Sequence, residues 1–530
     1  MRKLILVSSS IFTGEKQIRD GGIVIEGDKV TFVGSREEAL RKARRGDIVV
    51  DLNGYTVLPG FQDAHLHLLG LSLSDRILDL RDVDSIDVLK EKVAEQAEKL
   101  GPGKWIVGRG WDQEKFIEKR YPTRRDLDDA APRNPVLLIR VCGHIAVANT
   151  LALKIAGVYG GSAVKETGVE FDENGDPTGV LKENAVELVA KAVPEPSLSE
   201  LAEILKKGID RLLAAGLTTI HAMSVTEKEF KALQLLRSKG QLKIKVRVYF
   251  DLEAWKRLKD TDLLVSPEDD FIRVMGVKVF ADGSLGGRTA ALQEPYSDKP
   301  DVKGDLLMPK KELSDLFRQA LKHGFQVAVH AIGDRAIKEV LEAARASGIR
   351  GDLLRIEHVS VVTPTIIEDI RDVSPYLIVQ PHFILSDWWI VRRLGEERSR
   401  FAYAFKSLLA ARGILAASSD APVEPFNPWL GVYAAVLRGE KEKIELYNFT
   451  RGEKLSIDEA IKMYTVYPAI VSKDQTGLIS EGRKADIIVV NGNPFEASGE
   501  ELPKIRVLMT IVNGEIVYNA LENHLFIKYM

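Results

Sequence analysis

Eight short apolar runs, set along the chain with helix-like stretches between them, limit what this sequence can fold into more than any other feature. They are VLPGFQDAHLH (57–67), LTTIHAMS (217–224), KVRVYFD (245–251), GVKVFADG (276–283), QVAVHAIGD (326–334), RIEHVSV (355–361), YLIVQPHF (376–383) and ILAASSDAP (414–422). Amphipathic stretches such as KELSDLFRQALKHG and AIKEVLEAARASG separate several of them and close on Gly, as a helix C-terminus does. Eight strand–helix units closing on themselves predict an α/β fold, a (β/α)8 TIM barrel.

Most of these runs share a second property: an apolar body that ends in a metal-competent or acidic residue. The first carries His65 and His67, the second His221, the fourth Lys278 and Asp282, the fifth His330 and Asp334, the sixth His358, the seventh His382 and the eighth Asp420. In a βα-barrel the C-terminal strand ends converge on one mouth, where active sites are built. Residues i and i+2 of a strand share a face, so His65 and His67 can present two imidazoles to one ion. Histidines that merely filled a core would have no reason to collect at strand ends.

Outside the barrel pattern the texture changes. Residues 1–58 alternate short β-like runs with turns, and a similar texture returns over 466–530 in KADIIVVNGNP and KIRVLMTIVNGEIVY. Neither end alone buries enough apolar surface to be stable, so the two are expected to pair into one composite β-sandwich around a barrel spanning 59–465. About 150 residues separate the first strand from the second, against about 25 to 55 between later ones. A large insertion over 72–200 follows, expected to cover the mouth as a lid.

Composition narrows the function classes. A net charge of -3 offers no basic footprint for nucleic acid and no polybasic patch for a membrane, which leaves a small-molecule substrate. The start MRKLILVSSS is too short in apolar residues for a signal peptide and reads as a first strand, and no run approaches a membrane span. A single cysteine, Cys142, cannot form an intramolecular disulfide or a thiolate-rich zinc site, and a cytoplasmic location is expected. Association with further copies of the chain stays open.

The ordered set VLPGFQDAHLH, GVKVFADGSLGGRTAAL, VAVHAIGDRAI, RIEHVSV, SSDAPVEP and GRKADIIVVNGNP is similar to the metal-dependent amidohydrolase superfamily, in particular its branch of N-substituted formamide deformylase-like proteins, across essentially the whole chain. The resemblance implies a (β/α)8 barrel with a β-domain from both termini. It also implies metal ligands from strands 1, 4, 5, 6 and 8, which fall on His65, His67, Lys278, His330, His358 and Asp420.

The chemistry of these side chains agrees. Four imidazoles with oxygen ligands suit one or two Zn2+ ions, with Fe, Mn, Co or Ni as alternatives. Burial and nearby cations lower a lysine pKa, and the neutral Lys278 amine can add CO2 to become a carbamate that bridges two metals. An ordinary lysine paired with Asp282 or Asp420 is the other reading. Asp420, beside a metal-activated water, is the expected general base and then the acid that protonates the leaving amine. Substrate contacts are expected from Trp111 and His144 in the insertion, Arg288 in a glycine-rich loop, His221 and His382, although Trp111 and His144 could equally be structural. The expected activity is hydrolysis of a C–N bond in an amide, N-substituted formamide or related compound. A deaminase or cyclic-amidine hydrolase on the same scaffold is the alternative, and a non-catalytic assembly protein a more distant one.

Overall fold

The stretch 57–67 is where the chain passes from one β-structure to another. In the computed structural model Tyr55–Pro59 runs parallel to Lys3–Phe12, with Ser10 opposite Thr56, and antiparallel to Ile487–Asn491, with Leu58 opposite Ile488. Gly60 then ends that sheet, and a Cβ there would meet the Thr218 side chain at 2.4 Å. Phe61–Leu66 starts afresh as the first strand of a different sheet, parallel to Leu217–Val225. The model describes residues 2–74, 76–159, 168–259, 261, 269–349 and 351–521, together with the backbone of 526–528.

That second sheet has eight parallel strands in sequence order: Phe61–Leu66, Leu217–Val225, Lys245–Phe250, Ile272–Phe280, Gln326–Ala331, Leu354–His358, Tyr376–Val379 and Leu415–Ala417, called barrel strands 1 to 8 below. It is a nearly closed barrel. Strands 8 and 1 are joined at the C-terminal rim rather than along a ladder: Asp420 N–H donates to the His65 carbonyl and His67 N–H to the Ala421 carbonyl, both at 2.8 Å. Buried Asp63 accepts from the Ser419 backbone N–H at 3.1 Å and from its hydroxyl at 2.5 Å. Helices such as Lys310–His323 and Asp334–Ser347 pack outside, each ending on a glycine in the left-handed region.

Both termini supply the other large sheet of nine strands, as their matching texture predicts. The C-terminal segment that leads into it is tied to the barrel floor by ion pairs whose carboxylates are buried. Lys245 meets Asp486 at 2.8 Å, and Arg247 and Arg273 meet Asp474 at 2.9 and 2.7 Å.

Ser72–Glu200 is a compact unit of its own. Its six strands follow the order Val169–Phe171, Pro177–Lys182, Ile145–Ala148, Val136–Arg140, Ile106–Trp111 and Ile77–Asp79, antiparallel at the first edge and parallel at the last. Among the described residues no helix is long and apolar enough to cross a membrane.

The floor generates a stability prediction. Asp474→Ala strands two guanidiniums, one of them fully enclosed, and should destabilise the fold by about 3–5 kcal/mol. Asp28→Ala removes a half-exposed carboxylate paired with Lys484 and should cost under about 1 kcal/mol. Urea unfolding of both variants checks this, and midpoint shifts of equal size would count against a special role for the floor.

Candidate metal centre

His65 lies near the end of barrel strand 1 and His67 just beyond it. Their Nε2 atoms each stand 3.3 Å from Oδ1 of Asp420, which follows strand 8. The three donor atoms lie within 4.8 Å of one another. The His358 ring centroid is 5.1 Å from that of His65 and 4.4 Å from that of His330, so strands 1, 5, 6 and 8 deliver side chains to one place. Lys278 from strand 4 is buried, with its amine 4.3 Å from the centre of the Phe280 ring and subject to the Glu357 and Asp420 carboxylates.

Local backbone geometry is bent to achieve this. His358 and Val359 both have positive φ, 76° and 46°, and Asp420 has 56°. Such angles cost non-glycine residues about 1–3 kcal/mol each and persist only where the surroundings enforce them. In a regular strand Glu357 and His358 would face opposite ways; the turn at His358 lets both serve the mouth.

Hydrogen bonds set which ring nitrogen carries the proton. Glu357 Oε2 accepts from His65 Nδ1 at 2.6 Å, which leaves the Nε2 lone pair turned toward Asp420. Gln380 Oε1 accepts from His358 Nδ1 at 2.8 Å, and its amide nitrogen donates to the Ser418 hydroxyl, which fixes the amide orientation. The Gly283 carbonyl accepts from His330 Nε2 at 2.9 Å and so frees Nδ1. Outer partners of this kind orient metal-binding imidazoles and raise their basicity.

Burial disfavours the charged form of three of the rings. Burial and the Lys278 amine push His330 down to about 3, burial and His330 push His358 well below its ordinary value, and burial also lowers His67. Burial brings Lys278 down to about 8, against the pull of Glu357 and Asp420.

The donor set fits a metal cation. His65 Nε2 and Asp420 Oδ1 are buried and have no hydrogen-bond partner. Two lone pairs facing each other across 3.3 Å repel unless a cation lies between them, and leaving both unsatisfied costs about 1–3 kcal/mol apiece.

The remaining candidates are placed differently. Trp111 is wholly buried within the 72–200 unit, its indole N–H donating to the Leu138 carbonyl at 2.9 Å, so its ring serves core packing there. His144 is exposed, 3.2 Å from Glu183. His221 is buried deep in the barrel, where Nδ1 accepts from Arg355 at 2.9 Å and Nε2 has no hydrogen-bond partner among the described residues. Arg288 pairs with Asp298 at 2.7 Å, and His382 bonds Glu424 through Nδ1. Sequence reasoning passed over Glu357, Arg355, Gln380 and Asp63. The signal was present in RIEH, where Arg and Glu share one face of an otherwise apolar strand.

A parallel eight-stranded barrel with a histidine–carboxylate metal site at its C-terminal rim defines a metal-dependent hydrolase. The chain belongs to the amidohydrolase family, whose model matches residues 48–518. It is 35% identical over 515 residues to a putative amidohydrolase, YtcJ, of Bacillus subtilis, covering 95% of this chain and 97% of the relative. To the N-substituted formamide deformylase of Arthrobacter pascens it is 27% identical over 540 residues, covering 98% of each. A solved structure of an uncharacterized metal-dependent hydrolase from Pyrococcus horikoshii is 36% identical, with a TM-score of 0.80 and coverage of 94% of this chain and 99% of that one. The protein is accordingly an enzyme acting on carbon–nitrogen bonds.

If Glu357 orients His65, Glu357→Gln should weaken metal binding about 10- to 100-fold. Competition titration of the stripped protein with a chelating dye measures this, and unchanged affinity would remove Glu357 from the centre.

Proposed function

We propose that this enzyme hydrolyses an amide or N-substituted formamide at a zinc centre of one or two ions held by His65, His67, His330, His358, Asp420 and a carboxylated Lys278. The observation that carries the reading is the buried, unpartnered pair His65 Nε2 and Asp420 Oδ1, set among imidazoles whose outer nitrogens are already committed. The printed name of the Arthrobacter relative supports the substrate class. Bound zinc polarises a carbonyl and brings the pKa of water to about 7.

The chain's own groups do the rest. Asp420 accepts the proton of the attacking water, and a proton is returned to the products as the amine departs. Lys278, lowered to about 8 by burial, is partly neutral near pH 7; its nitrogen adds to CO2 and releases a proton, leaving a carbamate with two oxygens to offer. Half-exposed Phe280, whose ring is 5.3 Å from that of His330, gives the site an apolar wall suited to an uncharged substituent.

Two substitutions separate the roles. Lys278→Ala should lose metal and activity together, with partial return on adding short carboxylic acids. Asp420→Asn should keep most of its metal and lose about 100-fold or more in turnover. Metal analysis and rates on an amide, formamide and carbamate panel decide between them; a chelator-stripped protein with full turnover sinks the reading.

A further inference from the structure

The chain leaves barrel strand 7 through Gln380, Pro381, His382 and Phe383. Gln380 is bonded to the His358 ring, and the Phe383 ring centroid lies 6.5 Å from that same ring. His382 is therefore flanked in sequence by Pro381 and by Phe383, on a loop that also carries Gln380. After strand 8 the chain passes Asp420, turns back as the Val423 N–H donates to the Asp420 carbonyl at 2.9 Å, and reaches Glu424. Glu424 accepts a hydrogen bond from His382 Nδ1, which joins the two loops.

This pair has two unlike ends. The Glu424 side chain is 9% exposed and that of His382 is 21% exposed. The enclosed carboxylate holds one ring nitrogen, while Nε2 has no hydrogen-bond partner among the described residues. Trp388 and Val423, on the same two loops, are well exposed. An imidazole fixed by a carboxylate on one side and open on the other is the usual arrangement for moving a proton to or from a substrate. Amide hydrolysis needs two proton movements at two places: one off the water and one onto the nitrogen. Asp420 Oδ1 lies 3.3 Å from Nε2 of both His65 and His67, among the atoms that would hold the metal.

We propose that His382, oriented by Glu424, is the proton donor to the departing nitrogen; this rests on the amide-hydrolysis reading above. In the donating form the ring carries a proton on each nitrogen. Water oxygen bonds to the carbonyl carbon as its proton passes to Asp420. The C–N bond then breaks, its electron pair stays on nitrogen, and nitrogen takes the Nε2 proton. The proton held by Asp420 restores the ring, so one amide and one water give one acid and one amine.

Leaving-group dependence tests the assignment. The metal-replete protein and its His382→Gln and Glu424→Gln variants are compared on an N-alkylformamide, whose amine cannot leave unprotonated, and on a nitro-substituted formanilide, whose amine can. His382→Gln should lose about 100-fold or more in kcat on the alkyl substrate and only a few-fold on the anilide. Glu424→Gln should show the same selectivity with a smaller loss, and metal content should be unchanged in both. Equal losses on the two substrates, or no loss on the alkyl one, overturn the role of His382. If His382→Gln does not fold, Glu424→Gln carries the same comparison. Wild-type protein that turns over neither substrate overturns the amide reading itself and this role with it.

Discussion

Everything at the mouth depends on a charged pair buried beneath it. Arg355 Nε and Nη2 donate to the two Glu357 oxygens at 2.8 and 3.1 Å, and neither side chain is exposed. The same guanidinium donates to the Ala64 carbonyl at 2.7 Å and to His221, and lies 4.4 Å over the Tyr249 ring. Burial works against the charge of Glu357, and Arg355 more than offsets it, holding the carboxyl well below its ordinary range. One cation thus fixes both the backbone before His65 and the carboxylate that orients its ring. Removing two ions from water costs several kcal/mol each, and apolar residues of similar volume are often as stable. What the pair contributes is direction: without it His65 could rotate or exchange tautomers, and Nε2 would not face Asp420.

The rim is assembled against local preference. Left-handed angles at His358, Val359 and Asp420 and the two unpartnered atoms each carry a penalty on the order of 1–3 kcal/mol. Such strain survives only where rigid structure overrules it. The barrel strands below are buried along most of their length, and the floor is pinned by Lys245–Asp486 and Arg247–Asp474. Asp63 couples the rim to that rigid part, since its carboxylate is bonded to Ser419 and to the His65 N–H. Burial raises its pKa to about 6, against those hydrogen bonds. The neutral-to-charged balance of a group that touches no substrate therefore bears on where Asp420 stands.

Much of the fold was legible because its signals are local. Apolar runs separated by amphipathic stretches located all eight barrel strands, and strand–turn–strand texture at both ends located the nine-stranded sheet. The i, i+2 spacing of His65 and His67 was enough to put them on one side of strand 1. Strand ends were less legible. ILAASSDAP reads as one run, yet the strand covers only Leu415–Ala417, because Ser419 is drawn to Asp63, a partner hundreds of residues away in sequence. The neighbours of Trp111 and His221 were not legible either, because they come from other strands: the Leu138 carbonyl for one and Arg355 for the other.

Lys278 shows how the proposed carbamate and the metals must depend on each other. With its pKa brought down to about 8 by burial, the amine reaches its neutral, reactive form more readily near pH 7 than an exposed lysine does. Once carboxylated, the side chain changes from a cation that partly balances Glu357 and Asp420 into an anion beside them. In a site shielded from water that reversal is unfavourable unless positive charge enters at the same time. Bound metal ions would supply it, and a carbamate on Lys278 would in turn offer oxygens to them, so carboxylation and metal loading should behave as one linked equilibrium, with proton release accompanying both.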